Sequence, residues 1–234
     1  MDSAVPGRRA GPGGGLRARD KRARRAARNE RVQFARGLMQ GVVSMLRPGD
    51  VVFDCGANVG DVTAALAETG ATVHAFEPDP FAFGHLSDRM DGISNVRLHN
   101  VAVGVRAGSA RLMRAANFGE NPIGGSVKST LVAGGRNIDE GDDLSVEVET
   151  IALPEMIRRV ADETGEVALL KMDIEGAELE LLEHMLAEAL FDRVHLTVAE
   201  THESKFRDLR ARFAALREAV AARYPVTRVN LDWI

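Results

Sequence analysis

The sequence predicts an α/β fold, a mostly parallel sheet with helices on both faces. Three observations carry this. From Val51 onward, short apolar runs alternate with stretches of helix length, the pattern of repeated β–α units. One run, Val167 to Met172, is apolar almost throughout, as a strand covered on both faces must be. The residues with chemical potential fall just after strands, at the carboxyl ends where open α/β sheets hold ligands.

The elements follow in order. Ala35, Leu38, Met39, Val42 and Leu46 recur at helical spacing, so residues 32–47 read as an amphipathic leading helix. Arg47-Pro48-Gly49-Asp50 is a turn. Val51 to Phe53 is a strand, Val59 to Glu68 a helix ended by Gly70, and Thr72 to Phe76 a second strand. Pro80 to Met90 is a helix that Asp79 is placed to cap. Val96 to Val103 reads as one strand, and Ala110 to Arg114 as a short one. Residues 116–145, rich in Gly, Asn and Asp, form a long excursion with the polar look of a substrate-side loop. Then come a strand over Val146 to Ile151 and a helix over Pro154 to Val160. The buried strand Val167 to Met172 and a helix over Ala177 to Leu190 follow. A strand at Val194 to Ala199, a long helix from Glu203 to Ala222 and a last strand at Val226 to Asn230 close the pattern.

Charge divides the chain. Residues 1–36 hold 11 Lys+Arg and 3 Asp+Glu, a net of +8, while residues 37–234 hold 19 and 31, a net of −12. Residues 1–31 therefore read as a basic, disordered arm, and residues 32–234 as a single domain. Cys55 is the lone cysteine, which rules out an intrachain disulfide and a thiolate metal site and fits a cytoplasmic setting. No apolar run reaches the ~20 residues of a transmembrane helix. Aromatic residues make up 5%, too few for a base-stacking platform.

Four clusters carry chemistry. Asp54-Cys55-Gly56-Ala57-Asn58-Val59-Gly60 follows the first strand. Its glycines permit tight backbone geometry and close approach of a ligand, and the pattern is neither Gly-x-Gly-x-x-Gly nor a phosphate loop. Glu77-Pro78-Asp79-Pro80 follows the second strand, with Glu77 placed 21 positions beyond Gly56. A carboxylate at that distance holds a ribose diol, which NAD and S-adenosylmethionine both possess. Lys171-Met172-Asp173-Ile174-Glu175-Gly176-Ala177-Glu178 ends the buried strand. A lysine there needs a partner, and Asp173, two residues on, is its nearest candidate. Glu200-Thr201-His202-Glu203 ends the next strand, and Glu200 or His202 is placed to serve as a general base. Asp173, Glu200 and His202 also have the donors for a divalent metal, although the favoured reading assigns none.

Taken together, Phe53 to Gly60, Phe76 to Pro80, Asn100-Val101-Ala102-Val103-Gly104, Leu170 to Glu178 and Ala199 to His202 resemble the FkbM family of S-adenosylmethionine-dependent methyltransferases. The resemblance implies a Rossmann-like class I methyltransferase fold with a seven-stranded sheet whose last strand is antiparallel. It implies S-adenosylmethionine as cofactor, with Asp54, Gly56, Asn58 and Gly60 around its methionine part. Glu77 would hold its ribose, with Pro78 and Asp79 nearby, and Ala102 would border its adenine. Asp173 would stand near the methyl, with Lys171, Glu200 and His202 as further catalytic candidates. The acceptor it implies is a hydroxyl of a sugar or secondary metabolite. Two other readings stand beside it: a nicotinamide-dependent oxidoreductase on a similar sheet, and a nucleic-acid- or membrane-associated module using the basic arm. The acidic body argues against a nucleic-acid partner, and the motifs are silent on oligomeric state.

Overall fold

Six strands build the main sheet: β1 (Val51–Cys55), β2 (Thr72–Phe76), β3 (Val96–His99), β7 (Val167–Met172), β8 (Val194–Ala199) and β9 (Val229–Asn230), in the order β3-β2-β1-β7-β8-β9. All five pairings are parallel. The computed structural model describes residues 13–141 and 143–233, and residues 1–12 of the basic arm lie outside the described residues. From β1 the chain winds outward through α2 (Asp61–Ala67) and α3 (Pro80–Arg89) to one edge. From β7 it winds to the other edge through α6 (Glu178–Ala187) and α7 (Arg210–Arg223). Right-handed crossovers in opposite directions put helices on opposite faces and open a crevice where the direction reverses. That switch point lies between β1 and β7, where Cys55 pairs in register with Met172.

Among the described residues the sheet has six strands rather than seven, and β9 is parallel to β8 rather than antiparallel. Helix α7 carries the chain back along one face to the starting end of the sheet, so the strand after it enters in the same direction as β8. The stretch read as one strand over Val96 to Val103 is two. The side chain of Asn100 donates to the Glu77 carbonyl at 2.8 Å and the Pro78 carbonyl at 3.2 Å. These bonds draw the chain across the carboxyl ends of β2 and β3. It then forms β4 (Ala102–Gly104) in a second sheet, ordered β4-β6-β5, with β5 at Gly108–Leu112 and β6 at Val146–Ala152.

The core lies against β7. Leu170 and Met172 pack with Ile157 and Val160 of α5 (Leu153–Thr164), with Leu179 and Leu182 of α6, and with Phe213 and Leu216 of α7. Helix α7 begins at Arg210 rather than Glu203, because residues 203–206 cross the site before turning into a short 3-10 turn at Arg207–Leu209. Among its described residues the excursion holds one short helix, α4 (Pro122–Ser126).

Residues Val43–Trp233 form one compact unit. Preceding it, α1 runs from Gly13 to Met45, so the leading helix starts well before Val32 and continues through the basic run. Among the described residues no helix is long and apolar enough to cross a membrane.

Candidate functional site

The first βα turn is built to pack closely against the backbone at the end of β7. Gly56 has φ +79°, and a Cβ placed there would sit 1.8 Å from the carbonyl oxygen of Asp173, far inside contact distance. Only glycine satisfies both conditions. The Gly56 and Ala57 N–H groups both donate to the Phe76 carbonyl at 3.0 Å, tying the turn to the end of β2. Asn58 follows in the left-handed region at φ 48°, where asparagine is tolerated because its side chain bonds locally. Its Oδ1 accepts the Val59 N–H at 2.8 Å.

Beneath this turn lies a buried charge pair. The Lys171 ammonium sits 3.2 Å from Asp54 Oδ1 and donates to the Gly56 carbonyl at 2.8 Å. The Thr63 hydroxyl donates to Asp54 Oδ2 at 2.7 Å. Burial alone would lower the Lys171 pKa, but Asp54 first and Asp173 second hold it above the ordinary lysine value. The partner of Lys171 is thus Asp54 on the neighbouring strand, because register sets Asp54 beside Lys171. Cys55 is fully buried, and burial followed by Asp54 pushes its thiol far up, so it is a packing residue and not a nucleophile.

Glu77 closes the side of the crevice. Its Oε2 accepts the Asn58 N–H at 2.8 Å, and its Oε1 accepts the Asp79 N–H at 2.9 Å. Burial pushes its pKa up to about 7 against these two bonds. Asp79 is fully buried and turned away from the crevice. It caps α3 through the Phe81 N–H at 2.9 Å and takes Arg114 Nε and Nη2 at 2.9 and 2.7 Å. The excursion is tied over the crevice at further points: Ser129 to Asp79 at 3.3 Å, Asn58 to Ser126 at 3.4 Å, and the Thr130 hydroxyl to the Glu175 carbonyl at 2.6 Å. Under this cover lies a cavity walled by Gly56, Asn58, Glu77, Val101, Ala102 and Asp173 among others.

Beside the cavity, the ends of β7 and β8 bring charged groups together. Asp173 donates its N–H to the Cys55 carbonyl at 3.0 Å, and Glu200 donates its own to the Met172 carbonyl at 3.0 Å. Backbone pairing therefore fixes both side chains at the switch point. His202 Nε2 lies 3.8 Å from Asp173, 3.5 Å from Glu175 and 3.8 Å from Glu200. Glu175 has φ 56°, and its carboxylate is paired with Lys205. Burial and then Asp173 push Glu200 up to about 7. Burial disfavours a charged His202, but Glu178, Glu175 and Asp173 together push it up to about 9. Asp173, Glu175 and His202 each bring one ligand atom within 4.8 Å of the others, yet the Lys205 ammonium already supplies the cation against Glu175.

The Methyltransferase FkbM domain model matches residues 54–223, a span that contains every group just described. The chain belongs to the FkbM methyltransferase family. It is 33% identical over 183 residues to the 31-O-demethyl-FK506 methyltransferase FkbM of Streptomyces tacrolimicus, covering 68% of this chain and 67% of that protein. It is 30% identical over 156 residues to the hexuronic acid methyltransferase AglP of Haloferax volcanii, covering 65% of this chain and 56% of that protein. The chain therefore spans about two thirds of the first relative and little more than half of the second. A crystal structure of a methyltransferase FkbM from Methylobacillus flagellatus KT is similar at 17% identity and a TM-score of 0.36, over 63% of this chain and 31% of that one.

Within this FkbM-family domain the residues singled out from sequence fall into three groups. Gly56, Asn58, Glu77, Pro78, Ala102 and Asp173 wall the cavity. Asp54, Gly60, Asp79 and Lys171 stand behind the wall and brace it. Gly60, at φ +88°, opens α2, and a Cβ there would press on Leu86 at 2.8 Å. Glu200 and His202 stand beside Asp173 at the cavity's edge. Sequence reasoning missed Arg114, Ser126, Ser129 and Lys205, which meet their partners only across the fold.

Proposed function

We propose that this chain is an S-adenosylmethionine-dependent O-methyltransferase acting on a neutral hydroxyl of a sugar or secondary metabolite. One observation carries the reading. The Gly56–Asn58 turn and the Glu77 carboxylate share a covered cavity with Asp173, and a cluster of titratable groups adjoins it. The fit to the cofactor rests on the same residues. The Gly56–Asn58 turn walls the cavity, and each Glu77 oxygen keeps a lone pair beyond its one backbone bond, free for a ribose hydroxyl. Val101 and Ala102 offer an apolar wall for a base. When bound, S-adenosylmethionine supplies an electrophilic sulfonium methyl.

The chain's own task is then to align an acceptor oxygen and take its proton. The residues at the cavity's edge are Asp173, Glu175, Glu200 and His202, with Lys205 already paired. This acidic surround favours a neutral hydroxyl and disfavours a carboxylate acceptor, which it would repel. We place the catalytic unit at residues 43–233, with the basic segment before it outside the chemistry. The family membership and the Asn in the glycine turn leave the nicotinamide reading without support.

Calorimetry with S-adenosylhomocysteine and with NAD separates the two cofactors: heat with the former only is expected. Methyl transfer from labelled S-adenosylmethionine to a panel of neutral sugars and uronic acids then reads the acceptor class. Asp173→Ala and Glu200→Ala should each lower transfer at least 100-fold, about the contribution of one acid–base group, with the fold intact by circular dichroism. Near-wild-type turnover in both would remove these residues from the chemistry.

A further inference from the structure

Glu178 is the first residue of α6, and none of it reaches solvent. A carboxylate buried that completely needs its oxygens engaged. Oε2 accepts the Gly176 N–H at 2.7 Å. Oε1 lies 3.0 Å from both the backbone nitrogen and Nδ1 of His202. Capping the turn requires only the first of these contacts. The other two, from one oxygen to one residue, fix the backbone and the ring of His202 at once. An ionised carboxylate accepts and does not donate, so Nδ1 carries the proton in this contact. In the neutral ring the lone pair is then on Nε2, the atom nearest Asp173, Glu175 and Glu200.

We propose that Glu178 is the positioning residue of the site, holding the His202 Nδ1–H so that Nε2 faces the acceptor space and takes the acceptor's proton. The step moves one proton from the acceptor oxygen to Nε2 of the neutral ring, the minority form below about pH 9, so transfer should rise with pH towards that value. The ring becomes an imidazolium, and the Glu178 carboxylate keeps accepting from Nδ1–H. The use of the ring rests on the O-methyltransferase reading, whereas its tautomer is a property of this chain alone. The charges that face the ring are Glu178 from α6, Asp173 and Glu175 from the segment after β7, and Glu200 from the end of β8. Lys205 stands one step away, against Glu175. The carboxylates all favour the imidazolium.

The test is nitrogen-15 NMR of the full chain labelled at histidine, for the wild type, Glu178→Gln and Glu178→Asp across pH, with the His202 signal assigned by its loss in His202→Asn. The neutral wild-type ring should carry its proton on Nδ1. In Glu178→Gln the proton affinity of the ring should fall about tenfold or more, one pKa unit, and the Nε2–H tautomer should appear. Glu178→Asp should recover part of both. A wild-type ring protonated on Nε2 overturns the proposal, and so does a Glu178→Gln ring that titrates like the wild type. If Glu178→Gln fails to fold, the wild-type tautomer alone decides. Calorimetry of the wild type with S-adenosylhomocysteine tests the enzyme reading separately. Absence of heat there would remove the chemistry and leave the tautomer of His202, and the role of Glu178 in setting it, as the NMR finds them.

Discussion

Arg114→Ala tests how the cover is held. Arg114 reaches Asp79 from 35 residues away with two bonds, at 2.9 and 2.7 Å, and its guanidinium lies 4.2 Å from the Phe118 ring centroid. The Asp79 side chain is 0% exposed. Removing one partner of a buried ion pair leaves an uncompensated charge and costs about 3–5 kcal/mol. Asp79 keeps the Phe81 N–H at 2.9 Å and the Ser129 hydroxyl at 3.3 Å, which holds the loss near the lower bound. The lost contact with Phe118 adds about 0.5–1 kcal/mol. The expected destabilisation is therefore about 3–4 kcal/mol, a large part of the ~5–15 kcal/mol typical of a domain. Urea unfolding followed by the fluorescence of buried Trp233, the only tryptophan, measures it. The double variant Asp79→Asn/Arg114→Met should cost less than the two single changes added together, because no charge is then stranded. A loss below about 1 kcal/mol in Arg114→Ala, or strict additivity in the cycle, would refute the buried-pair argument. Because the pair anchors the excursion over the cavity, Arg114→Ala should also weaken S-adenosylhomocysteine binding by calorimetry.

Two further outcomes follow from the same geometry. Gly56→Ala must hold a left-handed backbone, at about 1–2 kcal/mol, and also push the Asp173 carbonyl away. It should therefore lose measurable S-adenosylhomocysteine binding, and binding at wild-type strength would sink the cradle. Burial, then His99, Arg97 and Arg159, lowers His74 to about 4, with its Nδ1 3.0 Å from His99 Nε2. The unfolded chain then binds more protons than the folded one between pH 6.5 and 4, so this contribution is whole above 6.5 and is lost as pH falls through that window. His74→Gln should flatten the fall in urea stability between pH 6.5 and 4, by less than the ~1.4 kcal/mol per pH unit of a fully buried site because the ring is half exposed. An unchanged slope would dismiss the histidine pair.

What the sequence made legible was local. Periodicity placed β7 and β8 at their observed ends, because a strand buried on both faces has few polar residues to blur it. The Gly56–Asn58 turn and Glu77 were legible because their spacing reflects one βαβ unit. The failures share a cause. Val96 to Val103 looks continuous in apolar pattern, and only the Asn100 side chain, reaching back to the Glu77 and Pro78 carbonyls, breaks it. Glu203 to Leu209 has helical composition, but Lys205 is committed to Glu175 and to the Lys128 carbonyl, and Phe206 packs on Gly176. Lys171 was matched to the acid nearest in sequence, whereas the acid nearest in space is on the adjacent strand. In each case a polar side chain satisfied itself across the fold, where sequence separation carries no information. The same rule applied forward makes Asp79 and Glu178 the informative acids. Each is fully buried, each holds a cation or imidazole from another segment, and neither walls the cavity. The part of the site that spacing reveals is thus the part that walls the cavity. The part that spacing hides, Arg114 on Asp79 and His202 on Glu178, is what holds the cover and the ring in place.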